Sequence, residues 1–330
     1  MTERKGREMP ERVLKPLPDS PLVSIVILNY KRRDALRRVL DTVRVQDYAN
    51  REIILVDNNS QDDIGSFVVA EAPYVRLIEL TDNRGACGGR NAGIEAAQGD
   101  IVITLDNDIF FESPQELSKM VATFKSHPEY QVLAFFLGDP DTGEVRSREW
   151  CHPRNIADSS NLEFETYYFV EGAAAYRREV FQSAGMYYEP IFLGNEGHDL
   201  ALRILDKGFR ILYAPEIRAR HLMAADTRSS ERTFYIYTRN YIWISYKDYH
   251  FFDGFRFLVP KILMMAFFSL RTGHLWAYFR GVKDGITGLS RISKERTPIS
   301  RKTAQFIDDL DKFRPNWRVR LARHRGNPQI

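Results

Sequence analysis

Residues 101–111 read IVITLDNDIFF. The apolar and β-branched run at 101–105 has the composition of a short strand buried on both faces, as inside a parallel sheet. It runs straight into Asp106-Asn107-Asp108. Two upstream segments repeat the arrangement: VSIVILNY (23–30) and IILVDNNS (53–60), each an apolar run ending in polar residues. Between them Leu36, Val39, Leu40 and Val43 recur at helical spacing. A polar helix, a third strand near 75–80, a Gly-dense loop and a helix around 90–97 complete the pattern. Strands alternating with helices predict an α/β fold with a mixed, mainly parallel sheet. Ligands bind such sheets at the carboxyl ends of the strands. Asn29, Asp57 and Asp106 each follow a predicted strand, so they are expected to converge on one crevice.

The chain has 330 residues, 44% hydrophobic and 28% charged, which excludes global disorder. A net charge of +3 gives no argument for nucleic acid as a partner. Two cysteines, Cys87 and Cys151, do not make a disulfide scaffold and read as reduced cytosolic thiols. Residues 1–20 read as a flexible leader without the apolar stretch of a signal peptide. No run of about 18 apolar residues predicts a membrane-spanning helix. Downstream, 166–176 reads as strand plus turn, 200–207 as a helix closed by Gly208, and 209–214 as a strand. Three regions follow: the leader 1–20, an α/β domain over 21–233, and an aromatic, basic helical region over 234–330.

Several segments carry chemistry. Alternate residues of an extended chain point the same way, so Asp106 and Asp108 are expected to face one ligand. Two hard oxygen donors at this spacing suit Mg²⁺ or Mn²⁺ bridged to a diphosphate; an isolated pair of this kind is more often a solvated turn. Asp57-Asn58-Asn59-Ser60 has turn and helix-cap composition, with Asp57 free to accept a hydrogen bond from a nucleobase. In NRGACGGRNAG (83–93) the glycines permit close backbone approach before a helix N-terminus that favours phosphate. The spacing is not that of a dinucleotide fingerprint.

Taken in order, VSIVILNY, LVDNNS (55–60), NRGACGGRNAG and LDND (105–108) resemble the nucleotide-sugar half of family 2 glycosyltransferases, which have the GT-A fold. EGAAAYRREVF (171–181) is similar to the family's donor-pocket segment, and EGHDLALRILDKGFRILYAP (196–215) with His221 to its acceptor side. The resemblance spans about residues 22–240. It implies a Rossmann-like, nucleotide-sugar-binding GT-A domain, a C-terminal helical region, and a metal-dependent, inverting hexosyltransferase related to rhamnosyltransferase-like enzymes of bacterial glycan assembly. A nucleoside diphosphate sugar is the implied donor, and a saccharide or lipid-linked acceptor the other partner. Asn29, Tyr30, Asp57, Arg84, Gly85, Arg90, Asp106 and Gly172 are the implied donor-binding residues, and Asp106, Asp108 and His221 the implied ligands of the divalent cation. Relatives carry an acid pair whose second member is the general base; here that position is Gly197, leaving Glu196 and Asp199 as the candidates. Asp199 is alternatively the N-cap of the helix at 200–207.

Residues 234–257 include Phe234, Tyr237, Tyr241, Trp243, Tyr249, Phe251, Phe252 and Phe255, and 291–330 carry eleven Lys/Arg against four acids. One reading packs these helices on the catalytic domain. The other makes 255–330 a peripheral membrane contact, with the basic tail facing anionic lipid at the inner face of the cell membrane. Two competing functions stay open. A sugar-1-phosphate nucleotidyltransferase calls for a Gly- and Arg-rich signature directly after the first strand, which Asn29-Tyr30-Lys31-Arg32 is not. A nucleotide-sugar-binding subunit impaired in catalysis is consistent with Gly197.

Overall fold

The apolar runs become strands because their β-branched residues pack on both faces of a pleated surface. The computed structural model describes residues 12, 14–146, 149–222 and 231–315. Among these, β1 (Val23–Asn29), β2 (Arg51–Asp57), β3 (Arg76–Glu79), β4 (Ile101–Asp106), β5 (Ile109–Phe111), β6 (Val132–Gly138), β7 (Phe164–Thr166), β8 (Ala173–Arg177) and β9 (Ile211–His221) form one sheet. Its order is β3-β2-β1-β4-β8-β6-β9-β5, with β7 also paired to β9. β1 to β4 are mutually parallel, β8 is antiparallel to β4 and β6, and β9 runs parallel to β6. The sheet is therefore mixed and mainly parallel. Helices α1 (Arg33–Arg44), α2 (Ile64–Glu71), α3 (Gly85–Ala96), α4 (Glu116–Ser126), α5 (Ile156–Ser159), α6 (Glu179–Ala184) and α7 (Glu196–Asp206) connect the strands.

Every residue of β1 is buried, and so are Leu36, Val39, Leu40 and Val43 of α1. Each Val, Leu or Ile among them, removed from water, contributes about 1.5–3 kcal/mol. Chain order reverses beside β1, with β2 on one side and β4 on the other. At that switch point Asn29 lies opposite Asp57, and Leu28 opposite Asp106.

Two sequence readings change. The Gly-dense segment is not a loop before a helix at 90–97: α3 begins at Gly85. A Cβ on Gly89 would collide with Leu28, and one on Gly93 with Val26, so these glycines seat the helix directly on β1. Within the leader, Leu14 and Leu17 pack against the two faces of the core, and the Lys15 carbonyl accepts a hydrogen bond from Arg177 at 2.7 Å. From residue 14 onward this segment is docked, because it covers apolar surface that the sheet leaves open.

After β9 come α8 (Glu231–Asp248), α9 (Phe251–Arg271), α10 (Leu275–Thr287), α11 (Leu289–Ile292) and α12 (Arg301–Asp311). Ile244, Tyr249, Ile299 and Ile307 share a core with Leu200 and Leu202 of α7. Asn240, fully buried, donates to the carbonyls of Leu193 and Gly194, both at 2.8 Å, just ahead of α7. The C-terminal region thus holds the loop that presents α7. Four basic residues of the tail, Arg318, Arg320, Arg323 and Arg325, lie outside the described residues.

Candidate active site

Asn29 ties the strand ends together. Its side-chain amide donates to Asp57 at 2.8 Å, and its Oδ1 accepts from the Asn107 amide at 2.8 Å. Asp57 also accepts from the Ser60 backbone N–H at 2.9 Å and the Ser60 hydroxyl at 2.5 Å. Asp57 is therefore buried and internally satisfied, and its visible work is to brace the turn after β2. Next to that brace lies an open cavity of about 520 Å³ lined by Tyr30, Lys31, Asn59, Ser60, Gln61, Asp62 and Asn83. Lys31, Arg32, Asn59 and Gln61 around it all adopt positive φ, a costly conformation for residues other than glycine.

The acidic triplet is not one extended segment. Asp106 ends β4, Asn107 and Asp108 form a turn, and Ile109 begins β5. The two carboxylates consequently have different partners. Asp108 pairs with Arg32 and lies 3.4 Å from Nε2 of His221, the last residue of β9. Burial works against the charge on both, yet their hydrogen bond and mutual attraction, joined by Arg32 beside Asp108 and Glu149 beside His221, together outweigh it. Asp108 is held below the usual carboxylate range and His221 is raised to about 9. Glu149 sits 3.0 Å from the other imidazole nitrogen, and its buried Oε2 has no hydrogen-bond partner.

Asp106 instead pairs with Arg90 at 2.6 Å, and the same guanidinium reaches Glu196 at 2.9 Å. A Cβ on Gly172 would collide with the Asp106 carboxyl, so only glycine lets β8 start this close. Gly85 has φ +70°, and a Cβ there would meet Phe192. Arg84 turns away to Glu189 at 2.7 Å.

α7 begins at Glu196 with Asn195 as its N-cap residue, so Asp199 is not the cap. Asp199 has no exposed surface and lies between Arg203 and Lys247, both at 2.6 Å. Burial opposes its charge, but the two cations hold it far below the usual carboxylate range. It has no face to offer an acceptor. Glu196 is 3% exposed and is held by Arg90.

Arg32, Glu149 and Glu171 escaped assignment from the sequence. Arg32 stood in a segment used only to exclude another enzyme class, and no motif surrounds Glu149. Glu171 had a signal, its place beside Gly172 in the donor-pocket segment. The Glu171 carboxyl accepts the Gly197 backbone N–H at 2.7 Å. Burial and the neighbouring Glu196 raise it to about 7, against the pull of Arg90.

Residues 24–185 match the model of glycosyl transferase family 2. The chain carries a family 2 glycosyltransferase domain. This domain is 37% identical over 102 residues to the succinoglycan biosynthesis protein ExoO of Rhizobium meliloti, covering 31% of this chain and 29% of that protein. The chain is 27% identical over 183 residues to the O-antigen chain rhamnosyltransferase WbaN of Salmonella anatum, covering 52% of this chain and 56% of that protein. The chain thus spans little more than half, or less, of these relatives' lengths. The mannosyltransferase PcManGT from Pyrobaculum calidifontis, solved with GDP-Man and Mn²⁺, superposes with a TM-score of 0.54 at 17% identity, covering 91% of this chain and 87% of that one. The fold of the glycosyltransferase domain is accordingly of the GT-A type.

Proposed function

We propose that this protein transfers a sugar, with inversion at the anomeric carbon, from a nucleoside diphosphate sugar to a hydroxyl of a saccharide or lipid-linked acceptor in glycan assembly. The observation that carries this reading is the meeting of Asn29, Asp57 and Asp106 at the ends of the neighbouring strands β1, β2 and β4, with Asp108 beside His221 at the end of β9 and an open cavity at Tyr30. Tyr30 and Lys31 would face the nucleotide there. Arg84, Gly85 and Arg90 form the adjoining start of α3, and Gly172 keeps Asp106 in reach of the donor.

Among the described residues no three His, Cys, Asp or Glu side chains form a metal cage. The donors present nonetheless suit a hard divalent ion held from one side, because Mg²⁺ and similar ions keep waters and substrate phosphates as ligands. The Asp108 carboxylate already receives a cation, the Arg32 guanidinium, and His221 stands beside it. Asp108 and His221, the imidazole giving up its proton, would hold Mg²⁺ or Mn²⁺, with Asp106 toward the donor and Glu149 orienting the ring. When bound, the ion would neutralise charge on the departing diphosphate. PcManGT was solved with that combination of ligands, GDP-Man and Mn²⁺.

A second observation bears on the acceptor. α9 and α10 leave Phe251, Phe252, Phe255, Leu263, Phe267, Leu270, Trp276 and Phe279 exposed, with Arg256, Arg271, Arg280 and Lys283 exposed among them. No described helix is long and apolar enough to cross a membrane. An apolar face edged by cations suits the surface of an anionic bilayer. We place the enzyme there, on the cytoplasmic side, where it would meet a lipid-linked acceptor.

Calorimetry with UDP-, GDP- and dTDP-sugars, with and without Mn²⁺, tests the donor side. Wild type is expected to bind one class in a Mn²⁺-dependent manner, and Asp108→Ala to lose about tenfold or more of that affinity. Equal, metal-independent binding by both proteins would remove the metal reading.

A further inference from the structure

Gly197 lies one residue into α7, at the edge of the Arg90 cluster. A Cβ built on it would lie 2.5 Å from Glu171 Oε1 and 2.6 Å from Glu171 Cδ. Position 197 therefore has no side chain because the Glu171 carboxyl fills that space. The placement is fixed from both ends of Glu171. The Gly197 N–H donates to Oε1 at 2.7 Å, and the Glu171 carbonyl accepts from the Thr104 hydroxyl at 2.5 Å. The next residue, Gly172, is the one that gives Asp106 its room.

We propose that Glu171 is the general base of the transfer, a carboxylate supplied from the segment before β8 into the place that a side chain at 197 would otherwise occupy. This inference rests on the transferase reading above. Alternatives nearby are poorly disposed. Asp199 is fully buried between Arg203 and Lys247, and Glu196 is 3% exposed with Arg90 on it. Of these three residues only Glu171 is partly exposed, and its carboxyl accepts from a backbone N–H where theirs are held by cations. In the step, the acceptor O–H bond breaks and its proton passes to the Glu171 carboxylate. The acceptor oxygen forms the new bond to the anomeric carbon. The anomeric carbon–phosphate oxygen bond breaks, and its electron pair leaves with the nucleoside diphosphate. The proton on Glu171 then returns to water. Burial and Glu196 favour proton uptake by Glu171, in keeping with a base matched to neutral pH.

The full-length protein is assayed with Mn²⁺ for release of nucleoside diphosphate from UDP-GlcNAc, GDP-Man and dTDP-sugars, with water as acceptor. Glu171→Gln is expected to lose about 100-fold or more of turnover, while nucleotide affinity stays near wild type and the chain stays folded. Glu171→Ala with Gly197→Asp, which moves the carboxylate to the helix side of the same space, is expected to recover about tenfold over Glu171→Ala alone. Turnover by Glu171→Gln within about threefold of wild type overturns the inference and leaves the transferase reading standing. Parallel loss of nucleotide affinity and fold in Glu171→Gln, with no recovery in the double variant, also overturns it, in favour of a packing role. If wild type releases nucleotide from no donor, the transferase reading fails and takes this inference with it.

Discussion

The first turn of α7 faces two groups of buried acids that differ in their balance of charge. Around Arg90 stand Asp106 and Glu196, with Glu171 adjoining, so carboxyls outnumber the cation. Three residues after Glu196, Asp199 and Asp248 are met by Arg203 and Lys247, and the charges cancel. The balanced group is closed and pins α8 to α7. The unbalanced one borders the strand ends. Proton uptake does not separate the two, because burial and Asp199 also raise Asp248 well above the usual carboxylate range; what separates them is closure by Arg203 and Lys247.

The comparison breaks most visibly at Lys247. Lys247→Met leaves Asp199 and Asp248 buried with Arg203 alone, and is expected to cost about 3–5 kcal/mol in urea denaturation. An unchanged midpoint would mean that the balanced group does not brace the two helices. A smaller loss, about 1–3 kcal/mol, is expected for Gly197→Ala, whose new methyl meets the Glu171 carboxyl. Most of that loss should vanish in a Glu171→Ala background, since the two positions share one space; simple additivity would refute the shared space.

Acidity sharpens the same contrast. Glu171 ionises near 7 in the folded chain against an ordinary 4.5, so its contribution to stability is complete below 4.5 and lost as pH rises through about 7. Unfolding temperatures recorded from pH 4.5 to 7.5 should therefore show Glu171→Gln gaining on wild type as pH rises. His221, raised to about 9, loses its contribution between 6.5 and 9 and does so in both proteins. Parallel curves would return Glu171 to the ordinary carboxylates. The smallest effect belongs to the exposed face. Phe267→Ser with Trp276→Ser should change stability by only about 0.5 kcal/mol. The same pair should weaken binding to vesicles containing anionic phospholipid; undiminished binding would detach that face from the membrane.

Much of the proposed donor side was legible in order along the chain. A β-branched run followed by a polar residue is a local pattern, and in a parallel sheet it places Asn29, Asp57 and Asp106 at one edge without further information. His221 was legible only through resemblance, because its partner Asp108 lies far away in sequence. Arg32 left no signal, since two left-handed residues after β1 bring it to Asp108, and Glu149 left none because it meets His221 from a segment far away in sequence. The Gly-dense segment misled as to where the helix begins, because glycine serves a loop and a close helix-to-sheet contact equally well, and here Gly89 and Gly93 sit inside α3 against Leu28 and Val26.

By itself, then, the sequence determined the α/β alternation, the buried strands and the polar residues at their ends, because periodicity and β-branching act over a few neighbouring residues. Only the tertiary structure decided which carboxyl stands free. It brought Glu171 against Gly197 and closed Lys247 over Asp199, and both contacts join segments whose charges balance, or fail to, only once the chain has folded.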